Sequence, residues 1–393
     1  MTENRNLGRI FTIPEIIDFM TDLVEVSSKG KILEPGCAFA PFLTTLRKKL
    51  GTDYEFWGVE IDEEVFDVPY WVKGILDDFI LFNANEKFDL IIGNPPYGII
   101  GDSSKYPIHQ LKKVKNLYKS IITTWKGKYN IYAAFIEKSI HLLNDNGQLI
   151  FIVPATWFVL DEFSLLREFL AKHGSLRIYY FGKIFDRNVN VVVINFKKGK
   201  RGFKLYEAKI ENNVAKVKEL YENRDWNGDW IRFETLETKN FKKSNLFVKD
   251  IFDIYFAARS TEFKKSEFVK NEYFENSVPI LTGRNLKENY IDYENNYSKL
   301  WMLKEDAEKI RSFYKIPHIV VAHTKGTKVV AAFDEKGYPW REEFHLIKKK
   351  DINEEEIVKY FNSQEVQKYV KELYRDVVPH LTKRMLEELP IWL

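Results

Sequence analysis

Asn94-Pro95-Pro96-Tyr97 combines residue types suited to one task, the holding of a planar ring that carries an amino group. The Asn side chain offers a carbonyl acceptor, the two prolines stiffen the turn and bring no N–H of their own, and the Tyr presents a flat face for stacking. The motif follows Phe88-Asp89-Leu90-Ile91-Ile92-Gly93, an apolar run that reads as a buried strand. The four residues should therefore lie at a strand's C-terminal end, where open α/β sheets bind ligands. Three upstream acids stand at comparable stations. Glu34 ends the run Lys31-Ile32-Leu33-Glu34, and Glu60 ends Phe56-Trp57-Gly58-Val59-Glu60. A carboxylate at a second strand end can accept from both ribose hydroxyls, although Glu60 could instead cap a following helix. Asp78-Phe79 follows Val72 to Leu76, and an acid followed by an aromatic ring can bond an adenine amine and cover its face.

These residues need a frame. Thr12 can cap a helix within Ile10 to Val26, whose early Pro14 is tolerated. Pro35 to Pro41, with Gly36, reads as a strand-to-helix turn that a ligand can approach closely, and a helix follows from about Phe42 to Leu50. The dinucleotide Gly-x-Gly-x-x-Gly fingerprint is absent. Tyr132 to Leu143 has helical periodicity, stopped by Asn144-Asp145-Asn146-Gly147. Gln148 to Val153 is an apolar strand, Leu165 to Leu170 extends a helix, and Arg177–Phe181 and Val189–Phe196 are strands. The alternation predicts an α/β fold with a mostly parallel, doubly wound sheet. Residues 1–200 form this first domain, 201–230 a charged, Asn-rich passage, and 231–393 a second domain with short aromatic-rich strands and two helical stretches near Asn353–Tyr374 and Leu381–Leu389.

A chain of 393 residues suits two domains. Its 45% hydrophobic and 30% charged residues describe a soluble globular protein. No apolar run is long enough to span a membrane, and Met1 to Asn6 lack a signal-peptide pattern, so a cytoplasmic location is expected. The single cysteine, Cys37, excludes an internal disulfide and reads as a small packing residue; the seven histidines lack metal-ligand spacing. With a net charge of +3, overall charge does not announce a nucleic-acid partner. Between Gly98 and Asn130, however, Lys105, Lys112, Lys113, Lys115, Lys119, Lys126 and Lys128 are interleaved with Tyr106, Tyr118, Trp125 and Tyr129. Such a segment can track a phosphate backbone, or it can be a solvated lysine face. Leu281-Thr282-Gly283-Arg284-Asn285 and His323 to Lys328 are loops that could contact phosphates or base edges, or be ordinary surface turns.

The order of these signals resembles the gamma class of S-adenosylmethionine-dependent adenine-N6 DNA methyltransferases, and within it the TaqI type. Ile32-Leu33-Glu34-Pro35, Gly58-Val59-Glu60-Ile61-Asp62, Gly93 to Gly98, Thr124 to Asn130, Val153 to Trp157, Leu281 to Leu286, Val321 to Thr327 and Val378 to Thr382 all carry the likeness. The resemblance implies a seven-stranded methyltransferase sheet followed by a separate α+β target-recognition domain. It implies S-adenosylmethionine as cofactor, with Glu34 near its methionine end, Glu60 on the ribose and Asp78 and Phe79 on the adenine. Gly36 and Pro96 would border the cofactor, with Ile10 and Thr12 closing the pocket. Asn94 and the Pro95 carbonyl would take the two amine protons of a flipped adenine, Tyr97 would stack on it and Phe185 cover its edge, with Pro96 completing the catalytic turn. Lys126, Lys128, Thr282, Arg284, Asn285, Lys325, Thr327, Lys328, Pro379, His380 and Arg384 would contact double-stranded DNA. The implied target is TCGA, methylated by a monomer acting as a modification enzyme, with room for a cognate restriction endonuclease acting separately. The same turn also serves cytosine-N4 and protein glutamine-N5 methyltransferases. This chain departs from the family pattern at Gly36, Phe39-Ala40-Pro41 and Asp186-Arg187-Asn188.

Overall fold

The structure, a computed structural model, describes residues 10–26, 29–101, 109–185 and 189–392. They fall into two compact units, Met1–Arg232 and Phe233–Leu393. Lys105 and Tyr106, and the variant Asp186-Arg187-Asn188, lie outside the described residues.

In the first unit, α1 (Pro14–Asp22) buries Ile16, Ile17 and Met20. It starts later than the Thr12 cap predicts: its N-cap is Ile13, without a side-chain hydrogen bond, because the Thr12 hydroxyl is engaged elsewhere. Then come β1 (Lys31–Pro35), α2 (Pro41–Leu50), β2 (Glu55–Glu60), β3 (Val72–Leu76) and β4 (Phe88–Gly93). They are followed by α3 (Lys115–Ile121), α4 (Ile131–Leu142), β5 (Leu143–Pro154), α5 (Ser164–His173), β6 (Gly174–Gly182) and β7 (Val191–Lys198). The seven strands are joined by two more, β8 (Phe203–Glu211) and β9 (Val214–Asn223), giving the order β3-β2-β1-β4-β5-β7-β6-β8-β9. Strands β1 to β5 pair in parallel, and β7 runs antiparallel between β5 and β6.

The passage expected over 201–230 carries the hairpin β8–β9, which extends the sheet of the first unit. Its turn residues Asn212 and Asn213 both adopt left-handed φ, at 51° and 62°, which suits a tight hairpin. Most of β9 is exposed, so its side chains need no apolar alternation and leave no strand signature in the sequence. By contrast β4 and β5 are buried along most of their length, as are the apolar residues of α4, and these are the elements that the pattern does reveal. Strand order reverses between β1 and β4, so the carboxyl ends of these two strands, Glu34-Pro35 and Gly93-Asn94, flank a topological switch point.

The second unit contains a four-stranded antiparallel sheet in the order Phe252–Phe256, Phe344–Lys348, His318–Val321, Ala331–Asp334, with several two-stranded pairs around it. Its core includes Phe263, Leu281, Met302, Tyr314, Val320 and Trp340. Buried Asp334 accepts from the backbone of Gly337 at 2.9 Å and Tyr338 at 3.1 Å, from Trp340 Nε1 at 2.7 Å and from the Tyr293 hydroxyl at 2.7 Å, so its charge is satisfied without a cation. The stretch 353–374 is two helices, Glu354–Phe361 and Gln364–Tyr374, each capped by its preceding Asn353 or Ser363. The last helix is shorter than its sequence pattern, Lys383–Glu387, with Thr382 as cap.

Candidate functional site

The turn from β1 to α2 is held by the two acids that flank it. Gly36, Ala38 and Ala40 all take left-handed φ, at 67°, 47° and 55°. For the two alanines this conformation costs about 1–2 kcal/mol each, so the turn needs support. Buried Glu60 supplies it by accepting from Ala38 N at 3.0 Å, and it also takes Ile61 N at 3.0 Å and Asp62 N at 3.1 Å. No helix follows β2 for Glu60 to cap; its carboxylate rigidifies two loops instead. Glu34, also buried, accepts from Leu43 N at 3.1 Å and so satisfies the start of α2, whose own N-cap Ala40 cannot. Burial holds the Glu34 carboxyl well above the usual carboxylate range, against the opposing pull of the Leu43 and Phe42 N–H groups.

Asn94 is fixed from its amino side. Its Nδ2 donates to the carbonyl of Ile10 at 2.8 Å and to Thr12 Oγ1 at 3.0 Å. A backbone carbonyl can only accept, so the amide cannot be flipped. The other end of the amide, Oδ1, is buried and has no hydrogen-bond partner among the described residues. Such an atom is costly to leave unpaired, and in a ligand cavity it marks where a donor belongs. Ile10 and Thr12, expected at the edge of a cofactor, orient this side chain. Tyr97 is nearly enclosed: its hydroxyl donates to the carbonyl of Ile152 on β5 at 2.9 Å, and its ring meets Tyr132 edge-on at 6.4 Å. Pro95 is buried and Pro96 half-buried.

Asn94 and Pro96 line a pocket enclosing about 630 Å³, part of it open to solvent, together with Gly36, Glu60, Asp78 and Phe79. Six of the residues singled out from sequence therefore meet at one cavity, while Ile10, Thr12, Glu34, Pro95, Tyr97 and Phe185 are not on its wall. Phe185 is half-buried in the β6–β7 connection. Sequence reasoning missed Phe135 and Tyr118, which also line the pocket. The Phe135 ring lies 4.9 Å from that of Phe79, and the Tyr118 hydroxyl donates to Asp78 Oδ2, whose other oxygen accepts from Ile80 N at 2.9 Å. Both come from helices, where an aromatic residue at core spacing looks like ordinary packing. Glu137 was missed for the same reason. Its buried carboxylate would be raised by desolvation, yet hydrogen bonds from His141, Thr123 and Thr124 hold it down at about 2, pinning the loop before Trp125.

The lysine-rich segment is partly engaged within its own unit. Lys115 and Lys119 lie over the Tyr129 ring, at 4.8 and 4.2 Å. Lys126 reaches Ser164 Oγ at 3.2 Å and Lys128 reaches Glu162 at 3.4 Å, exposed contacts of little energetic weight that a stronger anion could displace.

In the second unit the three loops singled out from sequence converge. Gly326 bridges to His380, His323 Nδ1 lies 2.8 Å from the Leu381 carbonyl, and Lys325 Nζ donates to the Leu286 carbonyl at 2.7 Å. Thr282, Arg284 and Lys325 line a cleft with Lys287, Arg341 and Glu343. The individual roles divide. Asn285 is 0% exposed; its Oδ1 accepts from Thr282 N at 2.9 Å and its Nδ2 donates to the carbonyls of Asp292 and Asn295, each at 2.7 Å. Its side-chain amide, expected from sequence to contact DNA, is engaged within the loop. Thr282 and Thr327 are likewise buried, Thr327 on Asp376. Arg284, Lys328 and Pro379 are exposed, His380 is half-buried beside His323, and Arg384 pairs with Glu388 at 2.7 Å.

Two sequence families match this chain. Residues 43–185 match the Eco57I restriction-modification methylase family, and residues 278–391 match the TaqI-like C-terminal specificity domain. The type II methyltransferase M.TthHB8I of Thermus thermophilus is 53% identical over 389 residues, which cover 98% of this chain and 91% of that protein. The type II methyltransferase M.HincII of Haemophilus influenzae is 30% identical over 199 residues, 50% of this chain and 38% of that protein. Among solved structures, a nuclease-deletion mutant of the Type ISP restriction-modification enzyme LlaGI in complex with a DNA substrate mimic shares the fold, with a TM-score of 0.56 and 14% identity over 95% of this chain and 53% of that one. No helix among the described residues is long and apolar enough to cross a membrane.

Proposed function

We propose, from the premise that this chain belongs to the TaqI-like type II restriction-modification DNA methyltransferases, S-adenosylmethionine-dependent enzymes of the adenine class, that it methylates N6 of an adenine flipped out of duplex DNA, in the sequence TCGA. The observation that carries the reading is the Asn94 amide, held by its nitrogen and bare at its buried oxygen. Adenine N6 is a poor nucleophile because its lone pair is delocalised into the ring. Asn94 Oδ1 and the Pro95 carbonyl accept hydrogen bonds from its two N–H groups, favouring the tetrahedral nitrogen that develops as the bond to carbon forms. No covalent bond to the enzyme is needed.

The residues of the pocket fit the cofactor. Glu60 uses three of roughly four acceptor positions on the backbone and keeps one for a ribose hydroxyl. Asp78, oriented by Tyr118, accepts from the adenine amine, and the rings of Phe79 and Phe135 hold the base. Gly36 lets the backbone come close, since even a Cβ there would meet only Phe135 Cε1, at 4.0 Å. Glu34 serves the methionine end, where a nearby ammonium group would favour its ionised form. When bound, S-adenosylmethionine supplies the electrophilic methyl group of its sulfonium.

Flipping costs a few kcal/mol of unpairing and unstacking, and stacking on Tyr97 returns about 1–3 kcal/mol of it. Phe185 covers the edge of the base. Arg284, Lys325, Lys328, His380 and Arg384 read base edges or phosphates, Lys126 and Lys128 hold phosphate, and Pro379 fills the space left by the base. The chain acts as a monomer, visiting the two strands of the palindrome separately, as the modification half of a restriction system. Tritiated cofactor offered to duplex DNA and to protein, followed by sequencing of the methylated DNA, tests the assignment. N6-methyladenine in TCGA is the expected product; label on cytosine N4, on protein, or on adenine in another context would refute it in the corresponding part.

A further inference from the structure

One acid in the recognition cleft has no part in the reading above. Glu343 is 1% exposed, although it lies in a cleft lined by Arg284, Lys287, Lys325 and Arg341. Its Oε2 accepts from the backbone N–H of His323, the first residue of the His323–Lys328 loop. Its Oε1 lies against Gly283, in the middle of the Leu281–Leu286 turn: a Cβ built on Gly283 would overlap that oxygen. Gly283 is not in a left-handed conformation, so the backbone does not require glycine there; a side chain at 283 would instead have to displace the carboxyl group. The backbone of Glu343 is itself anchored, since its carbonyl accepts from Ala257 N at 2.8 Å. The short strand Trp340-Arg341, one residue removed from it, completes the frame by pairing in parallel with Leu281-Thr282. One buried side chain thus touches both loops that carry the exposed basic groups.

We propose that Glu343 is a positioning residue for DNA sequence specificity, whose carboxyl group ties the His323–Lys328 loop to the Leu281–Leu286 turn through the room left by Gly283. This rests on the reading that Arg284 and Lys325 contact the target. Both are carried by segments with little regular structure, so their placement depends on side-chain ties of this kind. A loop displaced by an ångström presents the same charges to DNA without matching a particular base edge. Loss of the tie therefore relaxes discrimination while leaving the chemistry intact.

The test uses the full-length enzyme and genomic DNA, with methylated adenines mapped by sequencing. The ratio of methylation at the preferred site to that at its single-base neighbours is the measure of specificity, and turnover at saturating DNA and cofactor binding are followed alongside. Glu343→Ala should lower that ratio about tenfold or more, as expected for a buried hydrogen bond left unmade, with turnover changed by no more than about threefold. Glu343→Gln keeps the shape and the acceptor for His323 N and should restore most of the ratio. Gly283→Ala should resemble Glu343→Ala, and the double variant should be no worse than either, because both break the same contact. Unchanged discrimination in Glu343→Ala, or full additivity in the double variant, overturns the proposal. If Arg284→Ala and Lys325→Ala leave binding and discrimination untouched while Glu343→Ala lowers the ratio, the reading of those two residues fails and the tie itself stands.

Discussion

The cofactor-side pocket and the recognition loops use polar side chains in opposite ways. Around the pocket, Ile10 and Thr12 hold the nitrogen of the Asn94 amide, and its Oδ1 is left without a partner among the described residues. In the loops, several polar residues that look able to read DNA are consumed by the loops: Asn285, Thr282 and Thr327 are buried and bonded, while Arg284, Lys328 and Pro379 are exposed. The difference follows from what carries each site. Strand ends on a buried sheet are positioned by the sheet, so that although Glu34 and Glu60 also support neighbouring backbone, the Asn94 oxygen is not needed for it. Irregular segments lack a hydrogen-bonded ladder and must satisfy their backbone with side chains.

This contrast can be broken at its strongest point by Asn94→Ala. Turnover should fall about a thousandfold or more, as for removal of a preorganised polar group at the reacting atom, while DNA affinity measured by equilibrium binding is retained. Near-normal turnover would remove the pocket from the chemistry. On the other side, Asn285→Ala should destabilise the second unit by about 2–4 kcal/mol, because it leaves buried groups unpaired. Arg284→Ala should leave the denaturation midpoint unchanged and weaken discrimination at one base by about 1–3 kcal/mol. If Asn285→Ala altered specificity with stability intact, the division between building and reading residues would be wrong.

A smaller effect separates stacking from anchoring at Tyr97. Tyr97→Phe loses only the bond to the Ile152 carbonyl, worth about 1 kcal/mol, and should keep most of the rate; Tyr97→Ala should lose at least tenfold. Equal rates would argue against a stacking role. The smallest effect is one of pH. Burial pushes the Glu343 carboxyl up to about 8 from an ordinary 4.5, against the His323 N–H, Lys325 and Arg341, and with Glu342 adding to the rise. Between those values the folded state binds more protons than the unfolded one, so this group's contribution to stability is present at low pH and lost as pH rises towards 8. Glu343→Gln lacks the loss. Its urea midpoint should therefore gain on that of the parent between pH 6 and 8, with a slope of up to about 1.4 kcal/mol per pH unit. Parallel profiles would show that the buried acid does not titrate in that window.

Buried parallel strands announce themselves in sequence, and Phe88–Gly93 followed by Asn-Pro-Pro-Tyr could be placed at a strand end without coordinates. Glu60, Asp78 and Phe79 were legible by the same rule. The exposed strand β9 was not, since nothing in its sequence distinguishes one solvated face from a loop. Phe135 and Tyr118 sit at helical core spacing, and only three-dimensional proximity separates a pocket wall from packing. Asn285 shows another limit: sequence places an amide beside an arginine but cannot show that its partners are carbonyls seven and ten residues away.

The sequence by itself determined the order of strands and turns, the acids at their ends and the amine clamp, because these depend on local chemistry and on periodicity over a few residues. Tertiary structure decided which atoms of those residues remain free. The bare oxygen of Asn94 exists because Ile10 and Thr12, more than eighty positions away, hold the other end of the amide. The room beside Gly283 is taken by a carboxyl group sixty residues later. Both are long-range packing relations, which no local pattern along the chain encodes.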